Sequence, residues 1–189
     1  MIYLASSSPR RAELLHQIGV QFMVLAVDVD ESPLVSETPE QYVRRVAKAK
    51  ADAAGHAVDE EGIPILAADT TIAIDNEIVG KPHDPAHCRC ILSKLSGRTH
   101  QVFTCIAFRY QRQTRLTLSL NQVRFRVIEE KEVAAYCASN EPLDKAGAYA
   151  IQGKAAIFVE NLEGSYSSVM GLPLFETAKI LQQADITVM

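Results

Sequence analysis

"IPILAADTTIAIDNEIVG", residues 63–80, contains one nearly unbroken apolar run interrupted only at Asp69-Thr70-Thr71. From Ile63 to Ile74 the run reads as a single long strand. Asp75-Asn76-Glu77 then turns the chain back through Ile78 and Val79, which predicts a hairpin. The carboxylate of Asp69 sits inside that run, and an unpaired buried charge is too costly to keep. It must meet a cation, a metal or water in a cleft, or cap a turn at a strand end. Neighbouring strand residues point to opposite faces, so Asp69 and Thr70 can share a site only if the strand twists or ends there.

Working outward, strand-type runs alternate with helical patterns along all 189 residues, which predicts a single α/β domain over 1–189. Upstream, Ile2 to Ala5 reads as a buried strand, Pro9 to Ile18 as a helix ended by Gly19, and Val24 to Val29 as a second strand. Thr38-Pro39-Glu40-Gln41 supplies an N-cap, a proline at the first helical position and a Gln at the third, opening a helix to about Ala57. Downstream, Asp84-Pro85 caps a helix that ends at Ser96-Gly97. Val102 to Tyr110 and Leu116 to Val127 pair around Gln111-Arg112-Gln113. Glu129 to Ser139 reads as a helix, Ala156 to Leu162 as a strand and Leu174 to Gln183 as a helix. Strands joined by short turns imply a mixed sheet with antiparallel pairs, not a doubly wound parallel one.

Nineteen basic against 23 acidic residues give a net charge of −4, which argues against a chain built to coat nucleic acid. Met1 to Ala5 is too short for a signal-peptide core and lacks a basic flank, so export is not expected. No apolar run reaches the roughly 20 residues needed to span a bilayer. The four cysteines, Cys88, Cys90, Cys105 and Cys137, are scattered, and free thiols are the expected state. His83, His87, Cys88 and Cys90 crowd together at a spacing that fits no familiar zinc module.

"LASSSPRRAELL", residues 4–15, places three serines, a proline and two arginines at a helix start. Ser8 suits the N-cap and Pro9 the first turn, so backbone N–H groups and the helix dipole there favour an anion. Arg10 and Arg11 sit unfavourably against that dipole unless an anion docks. A phosphate site and a capped helix with two solvated arginines both remain open on residue types alone. Asp28, Asp30 and Glu31 form an acidic cluster suited to Mg²⁺, or a solvated loop. Arg45 and Lys50 lie on the second helix, and Pro82 holds Lys81 extended at a strand end. "EPLDKAGAYAIQG", residues 141–153, is a long loop of the kind that often carries function.

Taken together, these motifs resemble the Maf (septum formation) nucleotide pyrophosphatases. "LASSSPRR" (4–11), "RVAKAKA" (45–51), "AADT" (67–70), "GKP" (80–82), "DKAGAYAIQG" (144–153) and "MGLPL" (170–174) follow in the family's order over nearly the whole chain. The resemblance implies hydrolysis of nucleoside triphosphates to the monophosphate and pyrophosphate with a divalent cation, Mg²⁺ or Mn²⁺. It implies a fold like inosine triphosphate pyrophosphatase, an elongated mixed β-sheet flanked by helices with a cleft between two lobes. A homodimer in the cytoplasm is also implied, with a nucleotide partner and neither nucleic acid nor membrane. Carried over by position, Asp69 is the proton acceptor, Ser8, Arg11, Lys50 and Lys81 bind phosphate, and Glu31 with Asp69 meets the metal.

One branch of that family acts on 7-methyl-GTP and carries Trp at the position of Arg10, Gln at Thr70 and Glu at Gln152. A cationic methylated guanine stacks well on Trp. Uracil and thymine offer carbonyl acceptors around one N3–H, which a Gln amide can both donate to and accept from. Arg10, Thr70 and Gln152 therefore match the dTTP/UTP branch. Relatives often carry Asn near Ser168, and Met170 stands where Val is more usual. A second reading is a nucleotide-binding regulator of septum formation with little turnover.

Overall fold

The computed structural model describes residues 1–58, 62–111, 113–139 and 141–189. The chain forms β1 (Ile2–Ala5), α1 (Pro9–Gln17), β2 (Phe22–Val24), α2 (Pro39–Ala57), β3 (Ile65–Ile74), β4 (Glu77–Val79) and α3 (Pro85–Leu95). It continues through β5 (Thr99–Tyr110), β6 (Gln113–Phe125), α4 (Glu130–Cys137), two 3₁₀ turns (Ala146–Ala148 and Lys154–Phe158), β7 (Val159–Glu163), α5 (Tyr166–Met170) and α6 (Leu174–Gln182). Among the described residues the seven strands make one mixed sheet in the order β2-β1-β3-β5-β6-β7, with β4 paired to β3. β1 runs parallel to β2 and β3, and the remaining pairs are antiparallel.

The hairpin forms as its sequence dictates. Asp75 and Asn76 take φ values of 53° and 63°, the left-handed geometry of a two-residue turn that matches strand twist. β3 begins at Ile65 and not at Ile63, because Pro64 has no N–H for the ladder; its carbonyl instead accepts from Tyr3 N at 2.8 Å. One edge of β3 pairs with β5 from Ile65 to Ala73. The opposite edge pairs with β1 at Ile65–Ala67 and with β4 at Ile72–Ile74. Between them, Ala68 to Thr71 meet no strand on that edge.

Side-chain alternation along β3 assigns the two faces. Ile65, Ala67 and Ala73 pack beneath Val43, Ala47, Ala51 and Ala54 of α2. These small residues let the helix lie close to the sheet. Leu66 and Ala68 face Leu14, Leu15 and Leu181 of α1 and α6, while Ile72 and Ile74 join a separate core with α3 and α4. Thr70 lies between the two cores, so the cleft expected between lobes opens beside it. The capping box of α2 forms as read: Thr38 Oγ1 accepts from Gln41 N at 3.3 Å, and Gln41 Oε1 accepts from Thr38 N at 3.0 Å.

Three expectations need correction. The strand anticipated at Val24–Val29 lies instead at Phe22–Val24. β1 stops at Ala5, so after Leu25 N bonds Leu4 O at 2.9 Å no partner backbone remains. The strand anticipated at Ala156–Leu162 starts at Val159, because a 3₁₀ turn first buries Ala155 and Phe158. The cysteines are not all free: Cys88 and Cys137 form a disulfide joining α3 to α4, with Cys90 exposed and Cys105 buried as thiols. Arg112, which the sequence assigns to a turn, lies outside the described residues. No helix among the described residues is long and apolar enough to cross a membrane.

Two stability tests follow from this packing. The disulfide closes a loop spanning 49 positions, for which chain entropy allows a stabilisation of about 4 kcal/mol. Dithiothreitol should lower the urea midpoint of the native chain and leave the Cys88→Ala/Cys137→Ala variant unmoved. His100 is buried beside Phe125, its Nε2 lies 2.8 Å from Tyr149 Oη, and its Nδ1 meets no partner among the described residues. Burial pushes its pKa down to about 4. Protonation is thus easier in the unfolded chain, where histidine titrates near 6.5. Stability is full above that value and falls by up to about 3 kcal/mol as pH drops towards 4. Urea unfolding across this range should lose that slope in His100→Gln.

Candidate active site

β1 leads directly into Ser6-Ser7-Ser8 and the start of α1, which bring their polar groups to the unpaired edge of β3. A cleft of ≈ 560 Å³ opens there, lined by Ser8, Arg10, Arg11, Glu31, Lys50, Asp69, Thr70, Lys81 and Gln152 among others. The nine residues that the family resemblance assigns to the site thus share one cavity. The alternation problem at Asp69 and Thr70 is resolved by the interrupted pairing. Side chains from both faces reach the cleft where no neighbouring strand separates them, and the strand itself runs on to Ile74.

Asp69 is only 6% exposed. Its Oδ1 accepts from Lys50 Nζ at 2.8 Å, and the same ammonium lies 2.6 Å from Glu31 Oε1. Lys50 precedes Ala51 on α2, whose alanine-rich face packs on the sheet, and its side chain is largely buried. Burial pushes the Asp69 carboxyl above the ordinary carboxylate range, against the pull of Lys50 and Arg11, and Glu31 adds to the rise. Burial also pushes Glu31 upwards, but Lys50, with Lys81 and Arg11 behind it, holds that carboxyl below its usual range. Lys81 Nζ approaches Glu31 Oε2 at 3.6 Å from the far side of the cleft. Tyr42 donates its hydroxyl to the Glu31 carbonyl at 2.9 Å and so fixes that loop. Burial, followed by the Asp69 and Glu31 charges, pushes the Tyr42 phenol up to about 12.

Arg11 is 8% exposed, not a solvated helix-start arginine. Its Nε donates to Gly171 O at 2.8 Å, Nη1 to Ser6 Oγ at 3.0 Å and Nη2 to Thr70 Oγ1 at 3.4 Å. Burial lowers its pKa while Asp69 opposes the shift. Ser8 occupies the N-cap position of α1, yet its hydroxyl makes no capping bond; Ser8 N instead donates to Ser6 Oγ at 3.2 Å. Arg10 pairs with Asp144 at 3.6 Å across the cleft mouth. Gln152 is exposed on the far wall.

Other candidates fall elsewhere. Arg45 makes a two-point contact with Glu37 at 2.7 and 2.8 Å outside the cleft. Of the acidic cluster only Glu31 turns inward: Asp28 is exposed, and Asp30 accepts from Ser32 N at 2.8 Å. No group of three His, Cys, Asp or Glu among the described residues is placed to hold a metal. Ser168 is fully buried: its hydroxyl accepts from Asn121 Nδ2 at 2.9 Å and its carbonyl from Thr104 Oγ1 at 2.8 Å.

This geometry holds buried cationic groups, an open helix start and one buried carboxylate around a single cavity, a combination suited to a polyanion and to proton transfer. Residues 1–184 match the family model described as Maf-like protein. The chain belongs to that family. A dTTP/UTP pyrophosphatase of Nitrosomonas europaea is 50% identical over 198 residues, covering 99% of this chain and 96% of that protein. Proteins of the same name from Methylobacillus flagellatus and Methylococcus capsulatus are 47% and 49% identical, covering 99% and 98% of this chain and 94% and 91% of theirs.

Sequence reading missed some members of this Maf-like site. Tyr42 carried no signal, since one Tyr on a helix reads as packing. Asp144 and Lys145 lie inside a motif quoted above, yet only the fold shows Asp144 facing Arg10. The Asp69–Lys50 pair should also be visible in stability. Lys50→Met strands a buried carboxylate and should cost about 3 kcal/mol. Burial raises the Asp69 pKa, so its ionised form destabilises the fold once pH rises through the folded value, and Asp69→Asn should be the more stable chain at neutral pH. Urea unfolding at pH 7.5 checks both signs.

Proposed function

We propose that this chain hydrolyses dTTP and UTP to the monophosphate and pyrophosphate. The observation that carries the reading is the buried Asp69 carboxylate, tied to Lys50 in the same cleft as Arg11 and Lys81. Relatives about half identical along nearly the whole chain, named dTTP/UTP pyrophosphatase, support the same substrates.

Arg11, Lys81 and the start of α1 with Ser8 bind the phosphate oxygens. Lys50 holds one oxygen of Asp69, which leaves the other to take a proton from water. A carboxylate with a raised pKa is a stronger base than a solvated one. Water attacks the α-phosphorus in line with the departing group. The new P–O bond forms as the α–β bridging bond breaks, and Arg11 and Lys81 neutralise the charge gathered on pyrophosphate. Arg10, Thr70 and Gln152 select the substrate, Gln152 by donating to and accepting from the pyrimidine edge.

Glu31 and Asp69 would hold a divalent cation, Mg²⁺ or Mn²⁺. Two carboxylates open to a cleft suit a hard ion that completes its shell with water and phosphate oxygens. When bound, it supplies Lewis-acid stabilisation of phosphoryl charge. The family resemblance supports a cytoplasmic homodimer built from one domain over 1–189. The net charge of −4 favours a free nucleotide over nucleic acid as its partner.

Assay of a nucleoside triphosphate panel, with monophosphate and pyrophosphate separated, tests the reading. dTTP and UTP should lead, and Asp69→Asn should lose at least about 100-fold in kcat while still binding dTTP. A preference for 7-methyl-GTP, orthophosphate as sole product, or full turnover in Asp69→Asn would overturn it. dTTP binding without turnover would indicate the regulator.

A further inference from the structure

Gln152 sits at the tip of a tight turn in which Gly153 N bonds back to Ala150 O at 3.0 Å. Neither flank of that turn belongs to a strand or an α-helix, so its aim is set by what grips its ends. Both ends are gripped by side chains. Tyr136, on α4, accepts from Ala150 N at 3.2 Å. The same hydroxyl donates to Glu141 Oε1 at 2.9 Å. Glu141 in turn accepts from Lys154 N, at 3.0 Å to Oε1 and 3.3 Å to Oε2. A closed chain thus runs from the amide before the turn, through a phenol and a carboxylate, to the amide after it. Gly153 completes the fit, since a Cβ there would lie 2.3 Å from Glu141 Oε1.

Neither Tyr136 nor Glu141 lines the cleft. Tyr136 is 5% exposed and its ring packs edge-on to Phe158 at 5.5 Å, which anchors the hydroxyl to the second core. Burial pushes the phenol well above its ordinary pKa, so it remains a donor throughout the neutral range. Lys145 Nζ also ties the Glu141 carbonyl at 3.0 Å. The carboxylate therefore cannot follow the turn if the turn moves. The arrangement has the marks of a rigid mount, buried at one end and hydrogen-bonded to backbone at the other.

We propose that Tyr136 and Glu141 are positioning residues for pyrimidine selection, acting through the backbone of residues 150–154 to aim Gln152. The proposal rests on the reading of Gln152 as a base-contacting residue. Uracil and thymine differ from cytosine at the two edge atoms where donor and acceptor exchange, so a displaced amide loses discrimination first. Ser8 and Arg11 bind phosphate from the start of α1, not from this turn, so turnover of saturating dTTP should not depend on the mount.

The test compares kcat and KM for dTTP and dCTP in Tyr136→Phe, Glu141→Ala, Glu141→Gln, Gly153→Ala and Gln152→Ala, with thermal unfolding of each variant. Tyr136→Phe, Glu141→Ala and Gly153→Ala should each lower the dTTP-to-dCTP ratio of kcat/KM by roughly tenfold. The loss should fall mainly on KM for dTTP, with kcat little changed. Glu141→Gln keeps an acceptor oxygen where both donors meet and should retain the native ratio. Gly153→Ala disturbs the mount without deleting a polar group, so it serves if Tyr136→Phe folds poorly. Gln152→Ala should show the same loss as the mount variants. If Gln152→Ala loses discrimination while the mount variants lose only thermal stability, the positioning role is overturned and the reading of Gln152 stands. If Gln152→Ala keeps the native ratio, that reading fails and the proposal falls with it.

Discussion

A carboxylate and a guanidinium lie buried together where the central strand loses a neighbour, and the surrounding structure is built to tolerate them. Neither charge can leave water alone without a cost of several kcal/mol. Asp69 is compensated by Lys50 and Arg11, while Arg11 has donors occupied by Gly171 O, Ser6 Oγ and Thr70 Oγ1. Each compensating group comes from a distant part of the chain, so the pair joins β1, α1, α2, β3 and the Gly171 turn. These contacts bring buried positive charge and one carboxylate to the wall of a single open cleft.

Behind Arg11 the polar chain continues inward. Thr70 Oγ1 lies 3.0 Å from Thr104 Oγ1, which donates to Ser168 O, and Asn121 links Ser168 Oγ to the carbonyl of Val102. Position 168 is therefore a buried node in this chain, and its serine does not line the cleft. Asn121 Oδ1 also accepts from Ser165 N at 2.7 Å. An amide reaching in from β6 fills the space that a longer side chain at 168 would need. Met170 packs against both cores on either side of the cleft, where a long flexible thioether suits an irregular junction.

Features governed by neighbouring residues were legible in the sequence. The Asp75-Asn76 turn, the Thr38 capping box, the proline-led helices and the mixed sheet follow from local rules that need no tertiary knowledge. Asp69 also stood out, because a carboxylate inside an apolar run demands an explanation. Long-range relations were not legible. Nothing near Cys88 indicates that Cys137 will meet it, and nothing near Arg11 indicates that it will be buried. Strand ends failed for the same reason: β2 stops where β1 runs out of backbone, a limit set by the partner. Tyr136 and Glu141 read as an ordinary helix residue and a loop acid until the fold brings both to one turn.

The interrupted pairing along β3 also fixes a dimension. The five residue steps from Ala67 to Ile72, at about 3.3 Å each, leave an aperture of about 16 Å between one partner strand and the next. Its rims are hydrogen-bonded ladders, so it cannot widen by small steps; a strand slipping by one position would turn every side chain to the wrong face. Adaptation to a different nucleotide must therefore leave this frame intact and act through the side chains that overhang it.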